Sequence, residues 1–298
     1  MKKLLIILLA LALLIPFTGC EKQPDEYFLY PLGSYLGYEI GMPYFGSGYN
    51  QEYIDETAPH SVSIQVQGTS IELTYEDTWK FYDGFVVNRY DGANFYADGR
   101  LRGYHNYDYY SYLKDQHTIG PEEYIDMHTA IKIAKEVIYE LSSVDVSDYA
   151  LVITEAPTFD SDLEYWGVRF VKLYNGIYTS DSVTVSMFLD GTVYSYSAGD
   201  WFGCFPEDAD ADFDIDKAYS DAVAYLRACL ASQAEKYGGE PSVHSYDVMK
   251  LHFLADGTPY LETHLYYRFP NSSGHYEGAI VYVFKEPLSE DLLCEIRS

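Results

Sequence analysis

Six dipeptides of one kind limit what this chain can fold into: Asp83-Gly84, Asp91-Gly92, Asp98-Gly99, Asn175-Gly176, Asp190-Gly191 and Asp256-Gly257. Asp-Gly and Asn-Gly accept the positive φ angles of tight hairpin turns, which most residues resist. Beside them polar residues alternate with apolar ones, as in Val62, Ile64 and Val66, then Ile71, Leu73 and Tyr75. A period of two marks a strand with one buried side. The 33 tyrosines and 15 phenylalanines point the same way, because aromatic groups suit pleated, half-buried surfaces. Antiparallel hairpins are therefore expected to dominate.

Two segments break that rhythm and read as helices. One follows Asp126, a good N-cap, with Met127, Ala130, Ile131, Ala134, Val137, Ile138 and Leu141 forming an apolar stripe. The other starts near Asp214, with Ala218, Ala222, Tyr225, Leu226 and Cys229 at the same spacing. The pair align without a gap, Asp126 on Asp214 and Ala134 on Ala222. The strands repeat too. Tyr82-Asp-Gly-Phe leads to Phe95-Tyr-Ala-Asp98-Gly99 as Tyr174-Asn-Gly-Ile leads to Met187-Phe-Leu-Asp190-Gly191, and a weaker copy runs from Pro270-Asn271-Ser272 to Phe284. Repeats of this length suggest a recurring supersecondary unit.

The unit resembles the PepSY-like repeat family, including the YcdB/YcdC type of exported bacterial proteins. The residues that carry the likeness are the helix with Ala130 and Ala134, the strand Trp166–Phe170, the turn Tyr174-Asn175-Gly176-Ile177, and Val183-Thr184-Val185 leading to Asp190-Gly191. The second unit departs from it, with Pro270-Asn271-Ser272 at the turn and no closing Asp-Gly. The resemblance implies an α+β fold of tandem PepSY-like units, each one helix packed on an antiparallel sheet. Unit 1 would occupy 121–203 and unit 2 204–298, after a strand-rich N-terminal region at 61–120. It also implies modules that hold or inhibit peptidases or sense at the cell surface, with no shared catalytic residues.

At the other end, Lys2 and Lys3 precede an unbroken apolar run from Leu4 to Ile15, and Pro16 stops it. That run is too short for a membrane span, which needs about 20 residues, and matches a secretory signal. Phe17-Thr18-Gly19-Cys20 resembles the lipobox of bacterial lipoproteins, with Phe17 where that family usually has Leu. The resemblance implies a signal peptide at 1–19 and diacylglyceryl attachment at Cys20, followed by a Gly-rich tether and lead-in over 20–60. The expected location is the extracytoplasmic face of the cell membrane, lipid-anchored. Losing Lys2 and Lys3 with the signal takes the formal charge from −27 to −29. So acidic a surface repels nucleic acid and favours cations, basic peptides or neutral sugars.

Catalytic and metal signatures are weak. Asp208, Asp210, Asp212, Asp214 and Asp216 begin like a calcium loop, but Phe213 stands where Gly is required and Tyr219 where Glu is. They read instead as an acidic linker capping the second helix. Ser111-Tyr112-Leu113-Lys114 spells S-x-x-K without its companion motifs. His60, His105, His117, His128, His244, His252, His264 and His275 show no zinc spacing, so no catalytic, cofactor or metal residue is assigned. Cys204, Cys229 and Cys294 allow at most one disulfide or three free thiols. Tyr104, Tyr107, Tyr109, Tyr110 and Tyr112 are dense enough to form a recognition surface, or simply suit a wet strand edge. The reading is a non-catalytic binding or regulatory lipoprotein with a peptide or protein partner. A carbohydrate- or wall-binding module and a hydrolase with an unrecognised site are the alternatives.

Overall fold

A computed structural model describes residues 28–31, 49–81, 83–107, 123–157, 165–206, 209–245, 249–271 and 276–288. The signal segment, Cys20, Tyr82, Tyr109 to Lys114, His117, Asp208, Ser272, His275 and Cys294 lie outside them.

The strands are β1 (Phe28–Pro31), β2 (Tyr49–Tyr53), β3 (Ser61–Val66), β4 (Thr69–Phe81), β5 (Val86–Tyr90), β6 (Ala93–Tyr96) and β7 (Leu101–His105). After helix α1 (Met127–Ser142) come β8 (Ala150–Glu155), β9 (Tyr165–Tyr174), β10 (Ile177–Phe188) and β11 (Val193–Ala198). After helix α2 (Ile215–Ala234) come β12 (Ser242–Ser245), β13 (Lys250–Phe253), β14 (Pro259–Arg268) and β15 (Glu277–Phe284). β1 and β2 fall in the stretch read from sequence as tether and lead-in.

Local chemistry explains most of these elements. All of the Asp-Gly and Asn-Gly glycines sit at positive φ, with Asn175 at 48° beside Gly176. The carboxylates of Asp126 and Asp214 accept the amides of Thr129 and Lys217, capping α1 and α2 where their stripes begin. Buried Ala130, Ala134, Val137 and Ile138 face the sheet from α1, and Ala218, Ala222, Leu226 and Leu230 from α2.

The expected tandem α+β units do not form. The fifteen strands of the described residues all belong to one mostly antiparallel sheet, whose main path runs β1-β15-β14-β13-β10-β11-β7-β6-β5-β4-β2. The reason lies in β10. Its far half, from Val183, pairs with β11, while Tyr178 and Thr179 pair in parallel with Lys250 and Leu251 of β13. β9 flanks β10 throughout. A strand shared in this way leaves neither helix a sheet of its own. Between Tyr178 and Ser182 the strand bulges against β9, Tyr178 facing Leu173 and Ser182 facing Val171. The bulge inserts an even number of residues, so the side-chain alternation survives it. Ile177 therefore points to the α2 core and Val183 to the α1 core on the same side of the sheet.

The segment 199–206 leaves through the fork between β11 and β13. Gly199 donates its amide to Ser182 O at 2.7 Å, and a Cβ there would clash with the Ser180 carbonyl. Asp181, in the bulge, accepts from Tyr149 Oη at 2.6 Å and from the Gly203 amide at 3.0 Å. Burial raises its carboxyl above the ordinary value, against those hydrogen bonds and Lys172. Trp201 donates to Phe253 O at 3.1 Å and packs its ring on Phe85 and Phe253.

The hairpin β3–β4 reaches over α1. At its tip Gln67 (φ 49°) and Gly68 donate both backbone amides to the Glu140 carboxylate at 2.8 and 3.0 Å. The Gln67 side chain donates to Gly191 O and accepts from Val193 N. Replacing Glu140 with Ala leaves two amides without their acceptor and should cost about 1–2 kcal/mol. Hydrogen exchange at Gln67 and Gly68 should speed up first; unchanged protection there would show that the tip holds itself.

Candidate functional site

The strand register sorts the sheet into two chemically opposite sides. One cross-strand row, Ile153, Val168, Val185, Tyr196, Tyr104, Ala93, Tyr90 and Tyr75, faces the helices and belongs to the α1 core. The adjacent row on the far side reads Val152, Arg169, Thr184, Ser197, Gly103, Asn94, Arg89 and Asp77. Ser186 and Ser195 pair in the next row and extend this floor of small polar residues. Among the described residues no helix packs on that side.

A cleft of about 500 Å³ opens over the floor at its β4–β7 end. Asn94, Gly103 and Ser195 form its base, with Trp79, Arg89, His105 and Tyr107 around it. Arg89 makes two 2.6 Å hydrogen bonds to Asp77 and lies 4.1 Å from the centroid of the Trp79 ring. The bonds it donates to Asp77 hold its guanidinium above the ordinary value. Tyr107 is 64% exposed, with its ring 4.2 Å from that of His105. Burial lowers the His105 imidazole, so this rim is neutral near pH 7. Glu76 and Asp91 also line the cleft. With Asp77 they set three carboxylates against one guanidinium, and the cleft is net negative.

A second polar cluster sits where the β4–β5 turn meets the fork. Asp200 accepts from Tyr96 Oη at 2.6 Å and lies 3.6 Å from Arg102 Nε. The neighbouring Asp83 is buried, and its carbonyl accepts the Ala255 amide from the β13–β14 turn. Burial, and then the charge of Asp200, push the Asp83 carboxyl up to about 7, against the Phe85 amide and Arg102. On β13 and β14, Glu262 lies 2.8 Å from His264 Nε2 and 4.0 Å from His252 Nε2. Burial alone would raise Glu262. The His264 hydrogen bond, with His252 and Lys250, holds it below the ordinary range.

Of the residues singled out from sequence, Tyr107 stands at the cleft rim, whereas Tyr104 is buried under the floor. His60, His128 and His244 are exposed. Cys204 and Cys229 are both free thiols, the first exposed and the second half-buried against α2's core. No group of three metal-ligating side chains occurs among the described residues. Sequence reasoning missed Arg89, Trp79 and Asn94. The signal for the floor was present in the alternation of Ser195 and Ser197 with Tyr194 and Tyr196. Comparison with protein-family models, curated proteins and solved structures finds no match for this chain.

Two outcomes follow from these geometries. Arg89→Ala strands the Asp77 carboxylate, which is 11% exposed, and should cost about 3–5 kcal/mol in denaturant unfolding; a loss below 1 kcal/mol would mean water replaces the pair. Asp83 titrates at 3.8 when unfolded and about 7 when folded. Its contribution is thus fully present below the lower value and is lost as pH rises towards the upper one. Asp83→Asn keeps the acceptor for Phe85 and should raise Tm at pH 8 while flattening the decline from pH 5. An unchanged Tm profile would assign that decline to other groups.

Proposed function

We propose that this protein is an extracytoplasmic lipoprotein, held to the membrane through Cys20, whose cleft binds basic segments of a peptide or protein partner without catalysing a reaction. The observation that supports it is the cleft itself: a net-negative, aromatic-rimmed hollow over a floor of small polar residues. Lysine and arginine side chains are attracted to such carboxylates and stack on exposed aromatic rings such as Tyr107. The formal charge of −27 draws the same partners from a distance. Asp77, locked to Arg89, is poorly placed to act as an acid or base.

A carbohydrate is the second reading. The exposed ring of Tyr107 beside Asn94, Asp91 and Arg89 offers one stacking surface and several planar polar groups, which also suits a sugar.

The test is binding of the full chain to lysine-rich, glutamate-rich and uncharged peptides and to soluble wall glycans. Lysine-rich peptides should bind best, and Glu76→Gln and Tyr107→Ala should each weaken them by roughly tenfold, about 1.4 kcal/mol. Glycan binding that is lost in Tyr107→Ala, with no peptide binding, would select the second reading. Fractionation of cells carrying Cys20→Ser should show the protein released or misprocessed. Full membrane retention with lipid still attached would remove the anchor.

A further inference from the structure

Arg169 stands on the far side of the sheet, on β9, two strands from β11, which contributes Ser195 to the cleft. Its one hydrogen bond among the described residues runs from Nη2 to Ser182 Oγ at 3.1 Å. Its Nε is buried with no acceptor. Among the described residues no carboxylate comes within ion-pair distance, although acidic residues outnumber basic ones 46 to 19. A half-buried guanidinium without a counter-charge is costly to keep. Burial pulls its pKa below the ordinary value, and the phenol of Tyr178 is the group that opposes this.

The surroundings continue the pattern. Tyr178 is the cross-strand partner of Lys250, and Lys250 is that of Glu262, all on the same side. Lys250 forms no ion pair at contact distance among the described residues either. Arg169 and Lys250 both act on His252, whose Nε2 is buried without a hydrogen bond. Glu262 and Asp200 act on His252 with the opposite sign. Asp200 lies 3.6 Å from Arg102 Nε and is balanced there, so Arg169 and Lys250 against Glu262 leave an excess of one positive charge.

We propose that Arg169, Tyr178, Ser182 and Lys250 form a binding site for a carboxylate, separate from the acidic cleft and independent of what the cleft binds. With Nε enclosed, the guanidinium can meet a planar carboxylate end-on through its two Nη groups, and the Tyr178 hydroxyl and Lys250 ammonium supply further donors. The excess of one charge suits a monoanion. A phosphate dianion would meet the Glu262 carboxylate at the same place. The carboxylate comes from a small free acid or from a chain terminus.

The test is thermal unfolding of the full chain in sodium acetate against sodium chloride at equal ionic strength, then in a short peptide with a free or an amidated C-terminus. Acetate should raise Tm saturably where chloride does not. A rise with the free-terminus peptide that the amidated one lacks would identify a chain end as the source; equal effects of the two peptides would identify a small acid. Arg169→Met should melt no lower than the wild type, since it removes an uncompensated charge, and should lose the acetate response. Lys250→Met should weaken the response several-fold, and it carries the test if Arg169→Met does not fold. An acetate effect equal to chloride overturns the proposal. So does a response that survives both substitutions, or stabilisation by inorganic phosphate but not by acetate.

Discussion

The fork in β10 is the constraint on which the rest of the molecule depends. A strand offers two hydrogen-bonding edges, and β10 gives β9 one of them along its length. The other is divided between β11 and β13. Where the partners diverge, backbone groups near Ser180 and Ser182 would be left without ladder partners, and buried backbone groups rarely remain so. The segment 199–206 fills the gap. Gly199 approaches closely enough to bond Ser182, Asp181 turns inward to gather Tyr149 and Gly203, and Trp201 spans to Phe253. The price is a buried carboxylate in the bulge, to which Gly203 donates its amide and Tyr149 its hydroxyl.

Placing both helices on one side follows from the even length of that bulge. An odd insertion would have sent the α2 core to the other side and covered the sheet on both. With both helices together, the far side near β4–β7 has to be soluble by itself. The chain gathers the apolar groups of that side, Phe81, Phe85, Val87 and Tyr96, into a small cluster with Trp79 and Trp201. Elsewhere it uses serine, threonine, asparagine and glycine, which lie low and leave room above them. The cleft is thus a consequence of the topology rather than of a dedicated loop.

Hairpins and helices were legible because their causes are local. Asp-Gly and Asn-Gly set their own φ angles, and Asp126 and Asp214 cap helices within three residues of themselves. The turn at Gln67-Gly68 was not legible, because Gln67 tolerates its positive φ through bonds to Glu140, Gly191 and Val193, far away in sequence. Nor was the fork. It rests on a parallel pairing of Tyr178 and Thr179 with Lys250 and Leu251 that no local pattern announces. Each helix is followed by four strands, an order that suggested separate sheets, since a shared strand looks the same in sequence as an owned one. For the site, Tyr107 could be singled out by composition, whereas Trp79, Arg89 and Asn94 reach the same cleft only through the register of separate strands.

Charge sharpens the contrast between the two ends of the far side. In a chain with 46 acidic and 19 basic residues, a cation without a carboxylate neighbour among the described residues stands out. Arg89 follows the common pattern, locked to Asp77 and flanked by Glu76. Arg169 occupies the same cross-strand row with, among the described residues, only a serine hydroxyl for a partner. The two arginines share a row, a strand setting and a side of the sheet, so these do not account for the difference. What differs is the neighbour the sequence places opposite each one: Asp77 for Arg89, and Val152 and Thr184 for Arg169. The first arrangement spends its charge on the fold. The second leaves it unspent, at a stability cost that the packing of the helix side has to cover.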